Sequence, residues 1–220
     1  MLDLESYVID MLFEDATTGL MDGPSFSDPS VYNPVDGHYY WIDYTQPSPF
    51  LRSINVDSPT VINEIVQVPN VQYGDMTVDQ DGNVYWVQIG TGIYRWDWGT
   101  TNIQHIYDST ASGNLYGLEI VSSGTTETIF FSEGTELFTL QIDGTGRQSV
   151  PFSTASDTIR ALALDLDNNR AFYRLTNSIE WHPFSETENP EFLSLGDTYT
   201  EDSVVFFSWN FNRCFRRKCI

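Results

Sequence analysis

Five doublets of large aromatic side chains punctuate this chain, at Tyr40-Trp41, Tyr85-Trp86, Phe130-Phe131, Phe172-Tyr173 and Phe206-Phe207, at intervals of 45, 45, 42 and 34 residues. A second marker keeps step with the first. Val56-Asp57, Trp96-Asp97 and Ile142-Asp143 end 17, 12 and 13 residues after the start of the preceding doublet. A period in the low forties, with strand-forming residues throughout, is what a radial array of four-stranded sheets produces. The expected fold is therefore an all-β propeller of four-stranded blades, about five blade-equivalents long, with the rings hidden between neighbouring blades.

The stretch from Met76 to Gln88 gives the local logic. Two β-prone runs, Met76 to Asp79 and Val84 to Val87, flank Gln80-Asp81-Gly82-Asn83, whose Asp-Gly and Gly-Asn pairs tolerate the positive φ of a tight reversal. Small apolar residues fill the first run and large rings the second, as expected if the first strand lies near a crowded axis. Turn chemistry recurs at Val35-Asp36-Gly37, Ser122-Ser123-Gly124 and Asp167-Asn168-Asn169.

These signals divide residues 1–212 into one propeller, with a partial blade at 1–25, full units at 26–68, 72–107, 115–152 and 158–195, and a second partial blade at 197–212. Strands are expected near Ser30 to Tyr32, His38 to Asp43, Leu51 to Val56 and Val61 to Val68 in the first full unit. Leu4 to Asp10 matches the pattern of Leu137 to Asp143 and would supply a third strand to the last blade, although a helical turn also fits it. Arg213 to Ile220 competes for the same place.

Charge restricts the partners. Acidic residues number 31 and basic residues ten, for a net charge of −21, and four of the ten basic residues (Arg213, Arg216, Arg217 and Lys218) lie in the tail at 213–220. Such a surface repels nucleic acid and anionic lipid and favours a basic protein or a divalent cation. Cys214 and Cys219, spaced C-x4-C, can pair with each other or with a group elsewhere. Met1 to Asp22 lacks the basic and apolar regions of a signal peptide, and no run is long enough to span a membrane.

The segment from Asn33 to Asp43, containing Tyr40-Trp41-Ile42-Asp43, resembles the YWTD repeat of low-density-lipoprotein receptor class B. So do Val78-Asp79 with Tyr85-Trp86, Phe131-Ser-Glu-Gly with Leu140-Gln-Ile-Asp-Gly, and Ala163-Leu-Asp165 with Phe172-Tyr173. The resemblance covers about residues 26 to 210. It implies a six-bladed, protein-binding propeller of a receptor ectodomain or matrix glycoprotein, of which this chain would be an incomplete or divergent member, extracellular if it is a fragment.

For function, the position closing each second strand varies where the doublets do not: Asp43, Gln88, Glu133, Leu175 and Trp209. These are expected on one rim, with Asp43, Gln88, Glu133 and Trp209 binding a protein that presents Lys or Arg. The chain is expected to be a monomer, and no cofactor is implied. No nucleophile elbow, zinc-protease helix or phosphate-binding glycine loop occurs. The alternatives are an intracellular scaffold and a calcium-dependent lactonase-like hydrolase with Asp79, Glu119 and Asp165, all ending first strands, near the axis. Asp79-Gln-Asp81-Gly-Asn83 and Asp165-Leu-Asp167-Asn-Asn169 are faintly like calcium loops, but the position a bidentate carboxylate would take in the first is Gly90, so both read as ordinary turns. Histidine is the side chain type suited to sensing acid, which makes His38, His105 and His182 candidates, but they form no cluster in the sequence. In some relatives of the resembled family, propeller histidines help release ligand in acid.

Overall fold

In a computed structural model, the described residues are 29–43, 48–109, 115–151, 153–183 and 191–194. They form sixteen strands and no helix. The first blade contains β1 (Ser30–Asn33), β2 (His38–Asp43), β3 (Phe50–Asn55) and β4 (Ile62–Gln67). The second contains β5 (Tyr73–Val78), β6 (Val84–Gln88), β7 (Gly92–Trp96) and β8 (Ile103–Asp108). The third contains β9 (Leu115–Ser123), β10 (Thr126–Glu133), β11 (Glu136–Gln141) and β12 (Gln148–Ser149), and the fourth β13 (Ala161–Asp165), β14 (Arg170–Arg174), β15 (Ser178–Pro183) and β16 (Glu191–Ser194). Each blade is an antiparallel meander in sequence order. The proposed partial blades at either end, with Phe206-Phe207, Trp209, Cys214 and Cys219, lie outside the described residues.

First strands stand beside first strands, β1 against β5, β5 against β9 and β9 against β13, so the sheets radiate from a common inner edge. They run in the same direction. A methyl placed on Gly74 would stand 2.6 Å from the Tyr116 carbonyl oxygen, and one on Gly117 would stand 2.8 Å from Leu162 Cβ. Further along, Asn33 Nδ2 donates to the Gly82 carbonyl (3.1 Å) and Gln80 Nε2 to that of Gly124 (3.2 Å). Turns between first and second strands therefore meet at one end of the propeller.

The doublets explain the stacking. Adjacent strand residues point to opposite faces, so a sheet covered on both sides needs two consecutive large apolar residues. Tyr40 and Trp86 share the core between the first and second blades, while Tyr85 and Phe131 share the next. Phe130 packs against the third core, which contains Tyr173. The doublets of the second and third blades thus send their first ring towards the following blade and their second towards the preceding one, and Tyr40 and Tyr173 follow the same rule.

The second marker caps turns in the second and third blades, whereas in the first Asn55 Oδ1 accepts the Asp57 and Ser58 N–H groups (2.9 and 3.0 Å). Asp97 accepts hydrogen bonds from Arg95 Nε (2.7 Å) and Gln104 Nε2 (2.7 Å), and Asp143 accepts from the Thr145 N–H (2.9 Å). Positive φ occurs where the turns require it, at Gly82 (86°) and at Asn169 (58°), the one non-glycine residue with positive φ among the described residues.

Candidate functional surface

The expected rim is not exposed. Asp43, Gln88, Glu133 and Leu175 are all buried. Asp43 meets Arg52 Nη1 at 3.2 Å on the neighbouring strand. Glu133 collects the Tyr107 hydroxyl (3.0 Å), the Ser109 hydroxyl (2.8 Å) and Arg147 Nη2 (3.1 Å), which joins the second blade to the third. Chemical variation at this position follows a changing set of internal partners, so the expectation of a solvent-facing rim is corrected for these four residues. Trp209 lies outside the described residues.

The three carboxylates proposed for an axial metal are also committed elsewhere. Asp79 accepts the Asp81 and Asn83 backbone N–H groups (3.0 and 2.8 Å), Asn83 Nδ2 (2.8 Å) and the Tyr85 hydroxyl (3.1 Å). Asp165 accepts the Asn168 N–H (3.2 Å) and its Nδ2 (2.6 Å). Both cap their own turns. Glu119 does not end its strand as expected, because the β9–β10 hairpin keeps its ladder up to Ser123 and Thr126. From mid-strand its carboxylate accepts the Leu164 N–H of the next blade (2.9 Å).

Asp75 makes a comparable link, which the sequence reading missed. Beside a bulge in β5, its carboxylate accepts the Met76 N–H (2.9 Å) and the Leu118 N–H of the next first strand (3.4 Å). Burial pushes its carboxyl up to about 7, and these two hydrogen bonds oppose the shift only in part. The folded state therefore holds this proton more tightly than the unfolded chain. Stability from this group is fully present below about pH 4 and is lost as pH rises to about 7. Asp75→Asn should flatten that fall, by up to about 4 kcal/mol and by less where water reaches this half-buried residue. Urea denaturation of both proteins across this pH window checks it, and parallel curves would refute it.

The histidines are dispersed, as the sequence implies. His38 lies 3.5 Å from the Asp36 carboxylate, and His105 stacks on Tyr94 with ring centroids 4.5 Å apart. His182 is buried, 3.0 Å from Glu180 and stacked on Tyr173. Glu180 also accepts both the backbone N–H and the hydroxyl of Ser156. Burial raises the Glu180 carboxyl, but the Ser156 and His182 hydrogen bonds outweigh it and leave a net lowering. This Ser-Glu-His set has the carboxylate in the middle. It ties the entry to the fourth blade down, and its hydroxyl faces the acid where a nucleophile would need the imidazole.

What is exposed lies at the opposite end from the expected rim. The large apolar side chains most open to solvent among the described residues are Val35 (44%), Val61 (61%), Trp98 (44%) and Leu166 (47%). All four belong to turns joining first to second or third to fourth strands. Each described blade also places one exposed aspartate in these turns: Asp57, Asp81, Asp143 and Asp167. Trp98 is anchored at the seam of the first two blades, with its backbone N–H donating to Asn83 Oδ1 (2.9 Å) and its indole N–H to Asp36 Oδ2 (3.1 Å). The Tyr40 hydroxyl holds the same Asp36 oxygen (2.7 Å). A ring-bearing turn, Trp96-Asp97-Trp98-Gly99, was the available sequence signal. Trp96 is buried on pattern, which leaves Trp98 as the unexplained ring.

Four-stranded sheets radiating from shared first strands define a β-propeller, and solved structures agree. The fold is similar to a chain of a nidogen/laminin complex, a YWTD propeller (TM-score 0.60, 16% identity, 76% of this chain and 64% of that one). It is also similar to a gluconolactonase-type protein (TM-score 0.57, 14% identity, 79% and 61%) and to a calcium-binding regucalcin of Agrobacterium tumefaciens (TM-score 0.53, 12% identity, 78% and 60%). This chain spans less than two thirds of each. No family model and no curated protein matches the sequence.

Proposed function

We propose that this chain is a non-enzymatic, protein-binding propeller of the YWTD type, with residues 1–212 as one unit, working outside the cell on a partner with a basic surface. The observation that carries the reading is the turn end, where solvent-facing apolar side chains and aspartates occupy one side of a molecule of net charge −21. A propeller that meets protein in this way needs no axial chemistry, and the inner-strand carboxylates of Asp75 and Glu119 serve as struts between blades while Asp79 and Asp165 cap their own turns. The nidogen/laminin structure, in which a similar propeller belongs to a complex of two proteins, is consistent with the same use.

The calcium-hydrolase alternative predicts a single stoichiometric axial site, together with lactone hydrolysis that chelation abolishes. Isothermal titration with calcium and a lactone panel assayed with and without chelator separate the two. The protein-binding reading expects no stoichiometric site and no turnover above the uncatalysed rate. A one-to-one calcium site with chelator-sensitive hydrolysis would defeat it.

A further inference from the structure

We propose that the turn end centred on Trp98 is the docking surface for a basic, aliphatic-rich segment of the partner, with a Lys or Arg side chain laid across the Trp98 ring. This rests on the protein-binding reading above and fixes where, and by what chemistry, the partner is held.

The ring is placed before anything binds. Two hydrogen bonds from Trp98, to Asn83 and Asp36, fix it on the seam of two blades, yet 44% of the residue stays exposed. An aromatic on a rigid mount loses little conformational freedom when covered, so its burial is retained as affinity. Val35 extends the apolar patch, since its Cβ would stand 3.3 Å from a methyl placed on Gly82.

Charge selects the occupant. Among the described residues, the arginines arising at this end are already engaged: Arg95 with Asp97 (2.7 Å), Arg170 over the Trp181 ring (4.3 Å), and Arg147 over Phe138 (3.6 Å) and against Glu133. Asp57, Asp81, Asp143 and Asp167 remain exposed in turns at this end, and the Asp36 carboxylate lies against the Trp98 indole N–H (3.1 Å). A cation over an indole face, with carboxylates nearby and apolar contacts beside it, suits a basic segment interleaved with aliphatic residues. Nucleic acid and anionic lipid are repelled, and a second copy of this chain would bring like charge to like charge.

Three fluorescent dodecapeptides, alternating Lys-Leu, Lys-Ser and Glu-Leu, provide the test by anisotropy against the full chain at about 0.15 M salt. The expected result is at least about tenfold tighter binding of Lys-Leu than of Lys-Ser, with Glu-Leu unbound. Trp98→Ala should remove that preference. Trp98→Phe, which keeps a ring, should retain most of it, and Glu136→Gln at the opposite end should leave it unchanged. Melting curves of each variant establish that it is folded. A preference that survives Trp98→Ala, or equal binding of Lys-Leu and Lys-Ser, would overturn the site while leaving a basic partner in place. Failure of both lysine peptides would overturn the basic partner as well, and Trp98-dependent dimerisation in sedimentation would assign the surface to a second copy.

Discussion

Trp86→Ala is expected to lower stability by about 3–5 kcal/mol, enough to unfold a marginal domain. Trp86 has no solvent exposure, stacks on Tyr94 at 6.3 Å and fills the core between the first and second blades alongside Tyr40 and Trp96. Deleting it leaves a void that rigid sheets cannot close. Trp86→Phe should be much milder, because the indole N–H has no hydrogen-bond partner among the described residues and its removal relieves a buried polar group. Denaturant melts of the two variants check the pair. Equal, small effects would mean that the ring does not wedge the blades apart.

Glu133→Ala should follow at about 3 kcal/mol, since it withdraws one acceptor from the Tyr107 and Ser109 hydroxyls and from Arg147. Glu133→Gln keeps an acceptor oxygen and should fall between the variant and the parent. The melting temperature is the deciding readout. A ligand-binding role without a structural one would leave it unmoved, whereas the observed geometry requires it to drop.

The fold was legible because three independent sequence signals agree. The doublets give the blade period, the Asp-Gly and Asn-Asn turns give the reversals, and the capping aspartates mark the ends of third strands. In the first blade, expected and observed strand ends agree to within one residue, and His38–Asp43 coincides. Function was less legible for a physical reason. A position that varies from blade to blade was read as facing a ligand, but Asp43 and Glu133 vary because Arg52 stands beside one and Tyr107, Ser109 and Arg147 surround the other. Hairpin length was the second gap, since nothing in Ser122-Ser123-Gly124 says that the β9–β10 ladder continues this far, and Glu119 was misplaced on its strand as a result. Asp75 carried no motif, and its role depends on how closely Gly74 and Gly117 let the first strands approach.

What makes the described sheets a propeller is that their first strands lie side by side around one inner edge. Proton NMR on the folded chain tests this directly through cross-peaks between Gly74 Hα and Tyr116, Gly117 Hα and Leu162, and the Val35 methyls and Gly82. All three are expected together, linking in turn the second and third, the third and fourth, and the first and second blades. Their absence, with cross-peaks joining these first strands instead to outer strands of another sheet, would mean two facing layers and would contradict the propeller.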